Sequence, residues 1–119
     1  MSKNIVKELS FEFALEIVAI YKSLTTNQKE YILSKQLLRS GTAIGALIRE
    51  SEQAQSRADF VHKLSISLKE ANETDYWIEL LFQSGYLKNE NYEKLKKQIV
   101  SLNKLLISII KRMKENGLK

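Results

Sequence analysis

Apolar residues return at intervals of three and four along most of this chain, the spacing that lines one face of a helix turning about 100° per residue. Four stretches show it. In the first, from Phe11 to Leu24, the face is Phe13, Ala14, Ile17, Tyr21 and Leu24, with Glu12, Glu16 and Ser23 opposite and Ser10 placed as an N-cap. The second opens near Thr25, where Thr25 and Gln28 have capping-box spacing, and runs to about Ala54 behind the row Leu33, Leu37, Ile44 and Ile48. The third follows another capping box, Ser56 with Asp59, and carries Phe60, Leu64, Leu68, Ala71, Ile78 and Phe82 on one face. It stops at Gly85, a residue suited to the left-handed conformation beyond a helix end. The fourth has the most regular seam: Leu95, Ile99, Leu102, Leu106, Ile109 and Met113 are separated by 4, 3, 4, 3 and 4 residues, ahead of Gly117. The pattern predicts helices over about 11–24, 27–54, 57–84 and 90–116.

Short connections make successive helices antiparallel, and four helices with one apolar stripe each close most simply into an up-down-up-down bundle. The fold class is therefore all-α, an antiparallel four-helix bundle, with residues 1–119 as a single domain. The complete absence of proline agrees with long uninterrupted helices. No alternating run of strand length occurs, nor an Asn-Gly or Asp-Gly turn between apolar runs.

Composition narrows the chemistry. The chain has no cysteine, so disulfides, thiolate metal sites and cysteine nucleophiles are excluded. Glu8, Glu12 and Glu16 interrupt any signal-peptide core, and the densest apolar run, Leu105 to Ile110, is far short of the roughly 20 residues that cross a bilayer. A cytoplasmic protein without a membrane partner is expected. The one histidine, His62, forms an i, i+3 pair with Asp59, whereas ferritin-like dinuclear sites need two Glu-x-x-His pairs and two further glutamates. Asp59 reads better as the capping partner of Ser56. No nucleophile elbow or phosphate-binding glycine loop is present. No enzymatic activity, cofactor or metal is expected. Gly41 and Gly45 lie instead in a run of small residues, Ser40 to Ala46, which suits close approach of a neighbouring helix; a kink or a ligand groove is the other reading.

Charge is uneven. Residues 1–87 carry 10 Lys/Arg against 11 Asp/Glu, and residues 88–119 carry 9 against 3, so the net +5 belongs to the last helix. Lys97, Lys104 and Lys111 recur every seven residues opposite Leu102, flanked by Lys94 and Lys114. Such a stripe can track a phosphate backbone, or simply solvate a helix face. Two further groups stand out. Ile66, Trp77, Leu80 and Leu81 on the third helix, with Val100 and Ile107 on the fourth, lie off the core rows and predict a subunit interface. Asp75 and Glu79 fall near the apolar face and need a cationic partner, for which Arg39 and Arg49 are the candidates.

Residues 31–87 also carry familiar wording: Tyr31 to Ser40 as YILSKQLLRS, Asp59 to Ile66 as DFVHKLSI, and Glu70 to Trp77 as EANETDYW. These motifs resemble those of the bacterial four-helix bundle proteins related to products of intervening sequences in 23S rRNA genes. The resemblance implies a ring-like homopentamer without established enzymatic activity. It also suggests kinship with the basic accessory proteins of diversity-generating retroelements, pentamers that engage a reverse transcriptase and nucleic acid. Two positions depart from the pattern: Leu47 replaces a common asparagine, and Arg49 a small or acidic residue. Two functions follow as expectations: a homo-oligomeric scaffold holding RNA or DNA through the last helix, or a module that receives a protein partner without nucleic acid.

Overall fold

The computed structural model describes residues 2–117 and folds them into α1 (Ser2–Gln28), α2 (Leu33–Ser51), α3 (Arg57–Gln83) and α4 (Asn89–Gly117), with no strand among the described residues. Successive helices run antiparallel. Lys7 near the start of α1 pairs with Glu52 just after α2 at 3.0 Å, and Gln28 at the end of α1 donates to the Tyr86 carbonyl before α4 at 2.8 Å. Each helix packs on its sequence neighbours and α4 closes back on α1, so α1 faces α3 and α2 faces α4 only across the diagonals. The result is the expected all-α bundle, 52 Å long and about 20 Å wide.

The apolar stripes meet in one core. Phe13, Ile17 and Leu24 of α1, Leu37, Ile44 and Ile48 of α2, Leu64, Ala71 and Ile78 of α3, and Leu95, Ile99, Leu102 and Leu106 of α4 are all buried. Leu33, Phe60, Leu68, Phe82 and Met113 pack at its edges. The small residues of α2 work as close-approach positions. A Cβ on Gly41 would fall 2.9 Å from the Ile17 side chain, so only a glycine lets α1 come this near. On the other side of α2, Ser67 donates to the Ile44 carbonyl at 2.9 Å, joining α3 to the α2 backbone.

The helix ends show where local signals succeed and fail. Ser56 caps α3 as expected, accepting from the Asp59 amide at 3.0 Å. Gly85, at φ 89°, closes α3 with hydrogen bonds from its own amide to Phe82 and from Tyr86 to Leu81, the paired bonds of a Schellman motif. Ser10 is not an N-cap: α1 begins at Ser2, and Ser10 is buried mid-helix with its hydroxyl donating to the Lys7 carbonyl. The Thr25–Gln28 capping box does not form either. Thr25 donates back to the Tyr21 carbonyl, α1 runs on to Gln28, and the chain turns at Lys29, which takes the left-handed φ of 56°.

Glu30 then starts α2 in place of Thr25. Its buried carboxylate accepts from the amides of Ile32, Leu33 and Ser34 at 3.1, 3.0 and 2.7 Å. Burial pushes this carboxyl upward, but the three amide donors outweigh it and hold the group below the ordinary glutamate value. At its far end α2 stops at Ser51, and residues 52–54 continue only as tighter turns, each amide reaching three residues back.

Candidate interaction surfaces

The cations of α4 divide into two groups. Lys94 reaches Glu16 of α1 at 2.8 Å, and Lys96 bridges Asp75 and Glu79 of α3 at 2.6 and 3.1 Å. Partial burial works against the Lys96 ammonium, yet its hydrogen bonds to Asp75 and Glu79 overcome this and raise its pKa above the ordinary lysine value. Glu79 also accepts from the Tyr92 hydroxyl, which is the main reason its carboxyl is held low and the phenol is pushed up. Tyr92 stacks on Phe82 with centroids 3.8 Å apart, so ring contact and charge lock the same end of the α3–α4 seam.

The second group points outward. Lys97, Lys104, Lys111 and Lys114 are exposed and have no carboxylate within ion-pair distance among the described residues. Lys97 and Lys104 line a shallow groove with Glu93, Lys96, Val100 and Ser101. Lys94, expected in the same row, is turned toward α1 instead.

The acidic residues of α3 find partners other than those the sequence suggested. Arg39 pairs with Glu70 at 3.3 Å and with Glu73, not with Asp75 or Glu79. The reason is angular: Glu70 and Glu73 flank the α2 side of α3, while Asp75 and Glu79 flank the α4 side, where Lys96 waits. Arg49, the other candidate, lies with its guanidinium 5.5 Å above the Phe11 ring.

The residues assigned to one interface also separate. Leu81 is wholly buried in the core, so it is no surface residue. Ile66, Trp77 and Leu80 are half-buried; the Trp77 indole donates to Glu73 at 3.1 Å and meets the Tyr76 ring edge-on at 5.1 Å. Val100 and Ile107 are exposed beside the lysine row of α4. Trp77 therefore belongs to the α2 flank of α3, a different side of the bundle.

Sequence reasoning missed a wet apolar pair, Phe11 and Leu15 on the outside of α1, 52% and 57% exposed. Their i, i+4 spacing, on the side of the helix away from Phe13 and Ile17, was the available signal. Beside Phe11 an apolar groove runs between α1 and α2, lined by Ala14, Thr42, Gly45, Ala46 and Arg49. His62 is exposed, and Asp59 accepts from the Gln55 amide as well as capping through its own. Among the described residues no helix is long and apolar enough to cross a membrane.

Fold and surfaces together define a class: antiparallel all-α bundles with a cationic outer helix and unpartnered apolar flanks. The sequence model of the 23S rRNA-intervening sequence protein family matches residues 2–108, and the chain belongs to that family. It is also similar to a crystal structure from Bacteroides thetaiotaomicron, a protein with unknown function from the S23 ribosomal protein family. The two share 60% identity and a TM-score of 0.92, over 93% of this chain and 99% of that one. No functionally curated protein matches the chain.

Proposed function

We propose that this protein is a non-enzymatic homo-oligomeric scaffold, a pentamer, that holds RNA or another nucleic acid on the outer face of α4. The observation that carries the reading is the contrast within one helix. Lys94 and Lys96 are neutralised by neighbouring helices, whereas Lys97, Lys104, Lys111 and Lys114 keep their charge for something outside the chain. A phosphate backbone suits such a row because each lysine that neutralises a phosphate releases a condensed counterion. Repetition of the row in every copy would multiply modest contacts.

The test is retention of a structured RNA across a salt series. Binding should weaken steeply with salt, and Lys111→Gln with Lys114→Gln should flatten the logarithmic slope by roughly 0.7 to 0.9 per lysine. No retention at low salt, or a slope untouched by the double variant, would refute the nucleic-acid reading. The protein-partner reading would then stand in its place, supported by the apolar groove beside Phe11.

A further inference from the structure

We propose that the groove between α1 and α2 binds a free apolar α-amino acid, its side chain lying in the groove and its ammonium and carboxylate held at the mouth. The site is separate from the cationic face of α4 and does not depend on the nucleic-acid reading.

The groove has two compartments that share Lys7, Phe11 and Arg49. The inner one, about 280 Å³, is floored by Ala14, Gly45 and Ala46. The two helices approach closely here: a Cβ on Gly45 would fall 3.2 Å from the Ser10 hydroxyl oxygen, so no large side chain occupies the floor. The hydroxyls beside it are already engaged, Ser10 donating to the Lys7 carbonyl at 2.9 Å and Thr42 to the Leu38 carbonyl at 2.7 Å. With those protons committed to their own helices, the inner compartment suits an apolar group.

The outer compartment, about 370 Å³, adds Glu8 and Glu12. Lys7 is neutralised there by Glu52 at 3.0 Å. The Arg49 guanidinium rests 5.5 Å from the centre of the Phe11 ring. Glu8, Glu12 and Arg49 are exposed, line the same compartment, and make no ion pair among the described residues. Opposite charges thus share a cavity without touching. A ligand that carries both signs satisfies them together.

This set of charges discriminates among ligands. Two unmatched carboxylates repel a phosphate dianion or a fatty carboxylate, and a simple amine leaves the guanidinium without a partner. An α-amino acid carries an ammonium and a carboxylate on one carbon, and its side chain branches from that same carbon. The carboxylate meets the fork of Arg49, the ammonium meets Glu8 and Glu12, and the side chain passes Phe11 onto Ala46. A residue inside a peptide has lost both charges to amide bonds, so the free amino acid fits better than a protein segment. The compartments fall at the small end of ligand sites, which span roughly 300–1,000 Å³, in keeping with a ligand of this size.

The probe is L-leucine, titrated into the full chain while backbone amide chemical shifts are followed. Saturable shifts should appear at Phe11, Gly45 and Ala46, with a Kd on the order of 1 mM, as one buried apolar side chain and two solvent-screened ion pairs supply. Glycine, which lacks the side chain, and N-acetyl-leucinamide, which lacks both charges, should each bind about tenfold more weakly or worse. Ala46 is exposed, so Ala46→Phe should fill the groove and abolish binding with helicity unchanged. The charge pairing is read separately. Arg49→Gln should weaken leucine about fivefold yet leave isoamylamine, its analogue without the carboxylate, unaffected. Glu8→Gln with Glu12→Gln should weaken leucine but not isocaproate, the analogue without the ammonium. No saturable shift up to about 20 mM leucine would overturn the proposal. So would shifts confined to other parts of the bundle, N-acetyl-leucinamide binding as well as leucine, or an Arg49→Gln loss that is the same for isoamylamine.

Discussion

Thr74 donates its hydroxyl to the hydroxyl oxygen of Ser40 at 2.9 Å across the dry seam between α3 and α2, and both residues are fully buried. Ser40 passes the bond on to the Gln36 carbonyl at 3.1 Å. A neutral buried hydrogen bond contributes about 1 kcal/mol net. Thr74→Val should lower stability by about that amount, and Ser40→Ala should cost less in the Thr74→Val background than in the wild type. Urea denaturation of the four proteins measures the coupling; strict additivity would show that the bond contributes nothing.

Lys29 holds the left-handed conformation at the end of α1, where a side chain costs an L-residue about 1 kcal/mol. Lys29→Gly should therefore stabilise the protein by about 1 kcal/mol, while Lys29→Ala, which keeps the Cβ, should not. Thermal melts of the two variants side by side decide this. Equal melting temperatures would contradict the strain.

Glu30 makes stability depend on acidity. Its folded carboxyl titrates below the unfolded one, so its contribution is complete above the ordinary glutamate value and disappears as pH falls through the lower folded value. Glu30→Gln should cost about 1 kcal/mol at neutral pH, the scale of losing a helix cap. The gap between wild type and variant should shrink steadily in acid. A gap of constant size from neutral to acidic pH, read from melts in a buffer series, would sink the assignment.

Leu81 and Arg39 should rank in the reverse of their conspicuousness in the sequence. Leu81 is wholly buried, so Leu81→Ala should cost 2–5 kcal/mol, as is usual for a core leucine. Arg39 makes two ion pairs with its side chain 50% exposed, and such a surface bridge contributes about 1 kcal/mol or less, so Arg39→Ala should be mild. Denaturation midpoints in the opposite order would contradict both placements.

The heptad-like seam of α4 was fully legible because every one of its apolar positions serves the core. Ser56 and Gly85 were legible for a related reason: their local geometry admits one role. Ser10 and Thr25 misled because a hydroxyl can cap an amide or bond back to its own helix, and sequence spacing does not choose between them. Leu81 misled because its burial depends on where α2 and α4 press on α3. The Arg39 pairing failed on the same point: a single helical wheel shows which residues share a side, not which neighbour stands there. The Lys97 and Lys104 row was visible from its seven-residue spacing, whereas the flank around Glu8 was not, since Glu8 was placed outside a helix that in fact begins at Ser2.

Three of the four seams join helices that follow one another in the chain, and only the α1–α4 seam links distant segments. Most native contacts can therefore form inside simple helical hairpins, with a single long loop closure left for last. Such topologies refold within about microseconds to milliseconds. Closing that seam is also what seats Lys94 on Glu16, so their bridge exists only once the bundle is complete.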